Sequence, residues 1–272
     1  MPNPESWLCW KAGCSDELPV RFGGGWAETY TKMVQRAALP PYVDCLFVQQ
    51  EDFYRPSDFT PLMNAIEEKT GIPIALDGVF KWVAFLASKR DARMPVPNQY
   101  FGAFQDGTLK YRGIELRRRD TTLWVRKIQL KALEVLAGAN NPHEFADRVP
   151  EVMKLVEDAK RDLRIGSVPL HELVIRQRLS RTIEAYKTPS PAARAARQLQ
   201  AHGRQFAPGQ SLEFLFARNA TGVHAWELEE ALDSGKLDTK RYCRLLDQAM
   251  WTVFQGEIPL GMGNAFQLQM NI

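Results

Sequence analysis

Hydrophobic positions fall in near-continuous or two-residue patterns over the first part of the chain and in three-to-four-residue patterns from about Thr121 onward. Tyr42-Val-Asp-Cys-Leu-Phe-Val48 is an apolar run of strand length, and Val79 to Ala87 is a second. Between them, Thr60-Pro61 supplies an N-cap and a first-turn proline, and Gly71 a C-cap, around a helix with Leu62, Met63 and Ile66 on its apolar side. Asp106-Gly107 sits between two alternating segments and predicts a two-residue hairpin turn. Counting outward sets Phe104 against Leu109 and Phe101 against Arg112. That register gathers Lys110 and Arg112 on one face and Tyr100, Phe104, Leu109 and Tyr111 on the other, one basic and one packed.

The second part reads as helices. Val125, Ile128, Ala132 and Val135 step by three and four, with Lys127 and Lys131 on a different face and Gly138 ending the run. Val149, Val152, Val156, Ala159 and Leu163 repeat the pattern after Pro150. Ser190-Pro191 caps an Ala- and Arg-rich helix that Gly203 closes. Pro208-Gly209 then opens a strand alternating Leu212, Phe214 and Phe216, and a last amphipathic helix runs near Asp238 to Phe254. Trp124 and Tyr186 read as core. Residues 1–41 carry no clear period and read as an irregular lead-in. A sheet-rich part followed by a helix-rich part predicts an α+β fold in two domains.

Composition changes little in this picture. With 272 residues, 45% hydrophobic and 25% charged, the chain sits at the soluble globular norm, which excludes a largely disordered or collagen-like chain. No apolar run approaches the roughly 18 residues that span a bilayer, and Met1-Pro-Asn-Pro-Glu-Ser lacks the basic and apolar regions of a secretory signal. The expectation is a cytoplasmic protein with no membrane contact. Cys9 and Cys14 have the spacing of half a zinc site, but no second pair and no histidine stands near them, so reduced thiols are the expectation for all four cysteines.

Charge is informative through its distribution. Between Lys110 and Lys131 eight basic residues stand against Glu115 and Asp120, and between Lys160 and Arg204 ten stand against Asp162, Glu172 and Glu184. Two basic tracts on a chain of net charge +3 have the pattern of a polyanion surface or of solvated helix faces. Asp44 is the reverse problem. A carboxylate inside an apolar strand is costly unless it is paired, protonated or bound to a metal.

Several ordered segments resemble one family. Asp77-Gly-Val-Phe-Lys-Trp-Val-Ala-Phe-Leu-Ala-Ser-Lys89, Asn98-Gln-Tyr-Phe-Gly102, Arg112-Gly-Ile-Glu-Leu-Arg-Arg-Arg-Asp120 and Gln129 resemble the C-terminal palm of family B DNA polymerases. Arg178-Leu-Ser-Arg-Thr-Ile-Glu-Ala-Tyr186, Pro191-Ala-Ala-Arg-Ala-Ala196, Gly203 and Pro208-Gly209 resemble the thumb. The resemblance runs from about Tyr42 to Phe254 and implies a partial palm over 42–120 and a mainly helical thumb over 121–272.

In that family, palm aspartates hold two Mg²⁺ ions between the attacking 3′-oxygen and the nucleotide phosphates. One motif reads roughly Tyr-Gly-Asp-Thr-Asp-Ser. Aligned on its apolar end, Asp44 takes the place of the second aspartate and Tyr42 stands where the first belongs. Asp77 takes the place of a palm acid near the metals. Mg²⁺ is therefore the metal implied, at Asp44 and Asp77, with Asp44 a remnant of the catalytic set. Nothing before Tyr42 resembles the exonuclease domain, the first aspartate motif or the fingers.

The DNA-gripping half is better kept. The resemblance implies contacts to duplex primer-template DNA from Lys89, Asn98, Gln99, Tyr100, Lys110, Arg112, Gly113, Arg118 and Arg119, and from Arg194 and Arg197, which touch phosphate or are simply solvated. Glu115 and Asp120 are expected to orient neighbouring arginines. The function implied is duplex binding without sequence specificity by a chain that does not polymerise alone. The alternative is one chain of a split, active polymerase, completed by a second polymerase chain.

Overall fold

The structure is a computed structural model that describes residues 6–12, 45–50, 57, 60–71, 73–87, 95–140, 142–230 and 232–254. These divide into two units. The first holds the described residues up to Gly113 together with Leu136–Arg148, and the second holds Ile114–Val135 and Val149–Phe254. Antiparallel sheet and helices combine in an α+β fold. Among the described residues no helix is long and apolar enough to cross a membrane.

In the first unit, β1 (Ser6–Ala12), β2 (Cys45–Gln50), β3 (Ile74–Ala87), β4 (Pro95–Phe104) and β5 (Leu109–Arg112) form an antiparallel sheet in the order β2-β1-β3-β4-β5. Helix α1 (Thr60–Thr70) ends at Gly71, whose φ of +67° lets the chain leave the helix. Strand β1 corrects the expectation of an irregular lead-in. Ser-Trp-Leu-Cys-Trp-Lys-Ala has no two-residue alternation, and its partners lie at residues 45–50 and 74–80, which no local window reveals.

Two details of this sheet re-aim side chains. Cys9 pairs with Gly78 but Trp10 pairs with Leu76, so Asp77 is the extra residue of a β-bulge on β3. The β4–β5 hairpin is one residue out from the expected register: Tyr100 opposes Arg112, Phe101 opposes Tyr111 and Ala103 opposes Leu109. The cause is the turn. Phe104 N–H donates to Thr108 O and Gly107 N–H to Phe104 O, with Gly107 at φ +86°, which makes a three-residue loop instead of a two-residue one. Tyr100 and Phe104 therefore share a face with Lys110 and Arg112. That face packs an aromatic cluster of Phe80, Val83 and Tyr100, with Phe85 and Phe104 against it. Gly102 permits the close approach of β3, because a β-carbon there would come 2.6 Å from Trp82 O.

The second unit is built on turns of α2 (Leu123–Ala137) and α3 (Pro142–Arg164), a small antiparallel sheet, and two further helices. Trp124, Val125, Ile128 and Ala132 of α2 and Val149, Val152, Val156 and Leu163 of α3 are buried. Helix α3 begins eight residues before Pro150, not after it. The proline lies inside the helix at an exposed position, where the carbonyl four residues back loses its N–H partner. The sheet has the order β6-β7-β8, from β6 (Ile175–Arg178), β7 (Ser211–Phe216) and β8 (Val223–Ala225). Leu212, Phe214 and Phe216 are buried as their alternation requires. Helix α4 (Pro191–Ala201) is capped by Ser190, whose Oγ accepts from Ala193 N–H at 3.2 Å. In α5 (Thr239–Phe254), Tyr242 is fully buried and its Oη accepts from Phe216 N–H at 3.0 Å. Burial pushes that phenol well above its ordinary value. Tyr186 is half-buried, not core; its hydroxyl accepts from Ser180 N–H at 3.0 Å.

Candidate nucleic-acid interface

The two basic tracts supply side chains of three kinds: committed to a neighbouring acid, buried in packing, or left open. In the first unit Lys110 is committed. The bulge at Asp77 brings its carboxylate to 2.6 Å from Lys110 Nζ, with both side chains about four-fifths buried. Arg112 is half-buried opposite Tyr100, and Tyr100 is itself buried. Gly113 follows with φ +66°. Gln99 is half-buried in β4, and Asn98 lies in the same strand. Lys89 and Asp44 lie outside the described residues.

Mg²⁺ has little to hold here. A divalent cation needs several oxygen ligands, whereas Asp77 offers one carboxylate already neutralised by an ammonium. Among the described residues no group of three His, Cys, Asp or Glu stands close enough to hold a metal. The described residues therefore do not by themselves fit the ion.

In the second unit the Arg117-Arg118-Arg119 run separates by partner. Arg118 grips Asp120 with two hydrogen bonds, Nε to Oδ1 at 3.1 Å and Nη2 to Oδ2 at 3.0 Å. The pairing raises the guanidinium above its ordinary value, and the same bonds hold the Asp120 carboxyl below its own. Among the described residues no hydrogen bond or ion pair joins Glu115 to an arginine. Glu115 Oε2 accepts from Gln129 Nε2 at 3.2 Å and its Oε1 from Thr252 Oγ1 at 3.1 Å, which ties Glu115 to α2 and α5. Arg119 is exposed and points into a cleft of about 600 Å³.

This cleft concentrates charge. Arg119, Arg126 and Arg176 line it with His171, and Glu213 is the one carboxylate among its described lining residues. Three guanidiniums against one carboxylate leave two positive charges in excess. Arg126 Nη2 donates to Arg118 O at 2.6 Å, which anchors the guanidinium, while its Nε is buried and has no partner. Among the described residues no hydrogen bond or ion pair holds the side chains of Arg119, Arg176 or His171. Arg176 and Glu213 stand directly opposite in the β6–β7 register without forming an ion pair. Open guanidiniums in a concave surface are donors waiting for an anion.

Elsewhere in the unit, Arg197 is exposed on α4, and Arg194 crosses Gly222, where a β-carbon would meet its Nη1 at 3.2 Å. Arg241 stacks 3.7 Å over the Phe216 ring, and burial together with the charge of Arg194 lowers its pKa. Of the residues marked from sequence, only Arg119 falls in the cleft; Arg126, His171, Arg176, Glu213 and Trp226 were not singled out. The basic tracts signal Arg126 and Arg176, since the first holds Arg119 and Arg126 and the second holds Arg176, whereas Glu213 and Trp226 lie outside both.

Three arginines against one carboxylate give this cleft an excess of positive charge. Comparison with known proteins identifies the family. Residues 59–248 match the model for DNA polymerase family B, and the chain belongs to that family. It is 25% identical over 186 residues to DNA polymerase 1 of Saccharolobus solfataricus, covering 68% of this chain and 20% of that protein. It is 23% identical over 224 residues to the DNA polymerase of Archaeoglobus fulgidus, covering 81% and 26%. The structure of the family B DNA polymerase from Pyrobaculum calidifontis shares the fold, with a TM-score of 0.57 at 21% identity over 86% of this chain and 29% of that one. The chain thus spans about a fifth to a quarter of the length of these relatives.

Proposed function

We propose that this chain is the palm-and-thumb portion of a family B polymerase, with the palm over 42–120 and the thumb over 121–272, and that it grips duplex primer-template DNA without reading its sequence. The observation that carries the proposal is the cleft in which three arginines, Arg119, Arg126 and Arg176, stand against the single carboxylate of Glu213, with which Arg176 forms no ion pair. Guanidiniums of this kind bind phosphodiester oxygens, which position a protein on DNA and carry no sequence information. The chain binds without catalysing extension, a reading that rests on Tyr42 standing where the family places its first aspartate in that motif. The test is equilibrium binding to two duplexes of unrelated sequence, with primer extension in Mg²⁺ run on the same preparation. Equal affinity for the two duplexes and no extension are expected. A strong preference for one sequence, or extension by the purified chain, would overturn the reading.

A further inference from the structure

The cleft of the second unit holds more than a phosphate site requires. Three large apolar side chains stand exposed among the described residues, and two of them, Leu123 (44%) and Trp226 (38%), line this one cleft. Trp226 is not a loose surface residue. Its N–H donates to Glu213 O at 3.0 Å, which fixes its backbone to β7 while the indole stays open. Glu213 adds a carboxylate in the same cleft that no side chain among the described residues holds.

A base-paired duplex cannot use this combination, because its base faces are stacked on one another and its outer surface presents phosphates. An unpaired nucleotide uses all of it. Its phosphate suits the guanidiniums, its base has a free π-face for the indole, and its edge carries amino or imino donors for a carboxylate. The volume also lies within the roughly 300–1,000 Å³ usual for small-ligand sites.

We propose that the cleft binds an unpaired nucleotide of a single strand, its base stacked on Trp226 and its phosphates held by Arg119, Arg126 and Arg176. The proposal rests on the nucleic-acid reading above and refines it at one site.

The test compares a short oligothymidylate with an abasic phosphodiester strand of equal length by fluorescence anisotropy, with a blunt duplex measured alongside. The wild-type chain is expected to bind the oligothymidylate about tenfold more tightly than the abasic strand. Trp226→Ala should abolish that ratio, and Trp226→Phe should keep most of it. Equal wild-type affinity for the two strands would overturn the proposal without need of any variant. So would a ratio that survives in Trp226→Ala, since the stacking would then lie elsewhere. A wild-type chain that shows the ratio but binds no blunt duplex would instead overturn the duplex reading and leave the nucleotide site standing.

Discussion

Replacing Gln129 by leucine tests why the segment Arg112-Gly-Ile-Glu115 occurs together with Gln129. Gln129 has no exposed surface, and its Nε2 donates to Ala249 O at 3.0 Å and to Glu115 Oε2 at 3.2 Å. Thr252 Oγ1 holds the other oxygen of that carboxylate. Leucine keeps most of the volume and removes both donors. A hydrogen bond to a charged group contributes about 1.5–3 kcal/mol and one to a neutral carbonyl about 1 kcal/mol. Against this, the substitution also removes Gln129 Oε1, a buried atom with no partner, which returns about 1 kcal/mol. The net cost is about 2 kcal/mol, or roughly thirtyfold in an opening equilibrium. Native-state hydrogen exchange reads it directly: the amides of Ala249 and Met250 in α5 should exchange roughly thirtyfold faster. A change below about threefold would show that the buried amide contributes no net stability and that its place in the motif has another cause.

Other perturbations have outcomes fixed by the same geometry. Gly102→Ala would drive a β-carbon to 2.6 Å from the Trp82 carbonyl oxygen, a backbone atom that cannot rotate away, so a loss of about 1–3 kcal/mol is expected in urea unfolding. A gain in stability would mean that β3 and β4 are spaced more widely. Tyr242→Phe leaves the buried Phe216 N–H without its acceptor and should cost about 1–3 kcal/mol by the same measurement. Because burial raises the folded phenol's pKa, Tyr242 contributes its full stability below the ordinary tyrosine value of 10.0 and loses it as pH rises above that value. The wild type should therefore lose stability above pH 10 more steeply than Tyr242→Phe, and parallel profiles would contradict the assignment.

Features set by neighbours in sequence were legible, and those set by distant partners were not. Helix α4 was marked at both ends because its signals are local: the Ser190 cap on Ala193 N–H and Gly203 at φ +83°. Likewise α1 runs from its Thr60-Pro61 start to Thr70 as capping predicts, and the alternation of Leu212, Phe214 and Phe216 marks β7. Strand β1 was invisible because its place between β2 and β3 depends on residues far along the chain. The hairpin slipped by one residue because Asp106-Gly107 suits either loop length, and the hydrogen bonds around Phe104 and Thr108 decide between them. That slip placed Tyr100 on the wrong face, and the bulge that carries Asp77 to Lys110 gave no signal of its own.

The cleft was legible only as charge. Composition marks both basic tracts but not which arginine meets an acid. Asp120, two residues on, takes Arg118 and leaves Arg119 open. Trp226 follows a three-residue strand and shows no periodicity, so nothing in its surroundings distinguishes it from a buried tryptophan until β7 and β8 are paired.

The most direct test of the central claim is a salt titration of blunt-duplex binding for the wild-type chain and for Arg119→Ala/Arg176→Ala. If about six phosphates are contacted in all, wild-type affinity should fall on the order of a thousandfold between about 50 and 200 mM salt. The double variant should bind more weakly, with a log–log slope shallower by about 1.8, two contacts at about 0.9 each. A wild-type slope near zero would contradict DNA binding through phosphates. A steep slope unchanged in the variant would place the phosphate contacts somewhere other than this cleft.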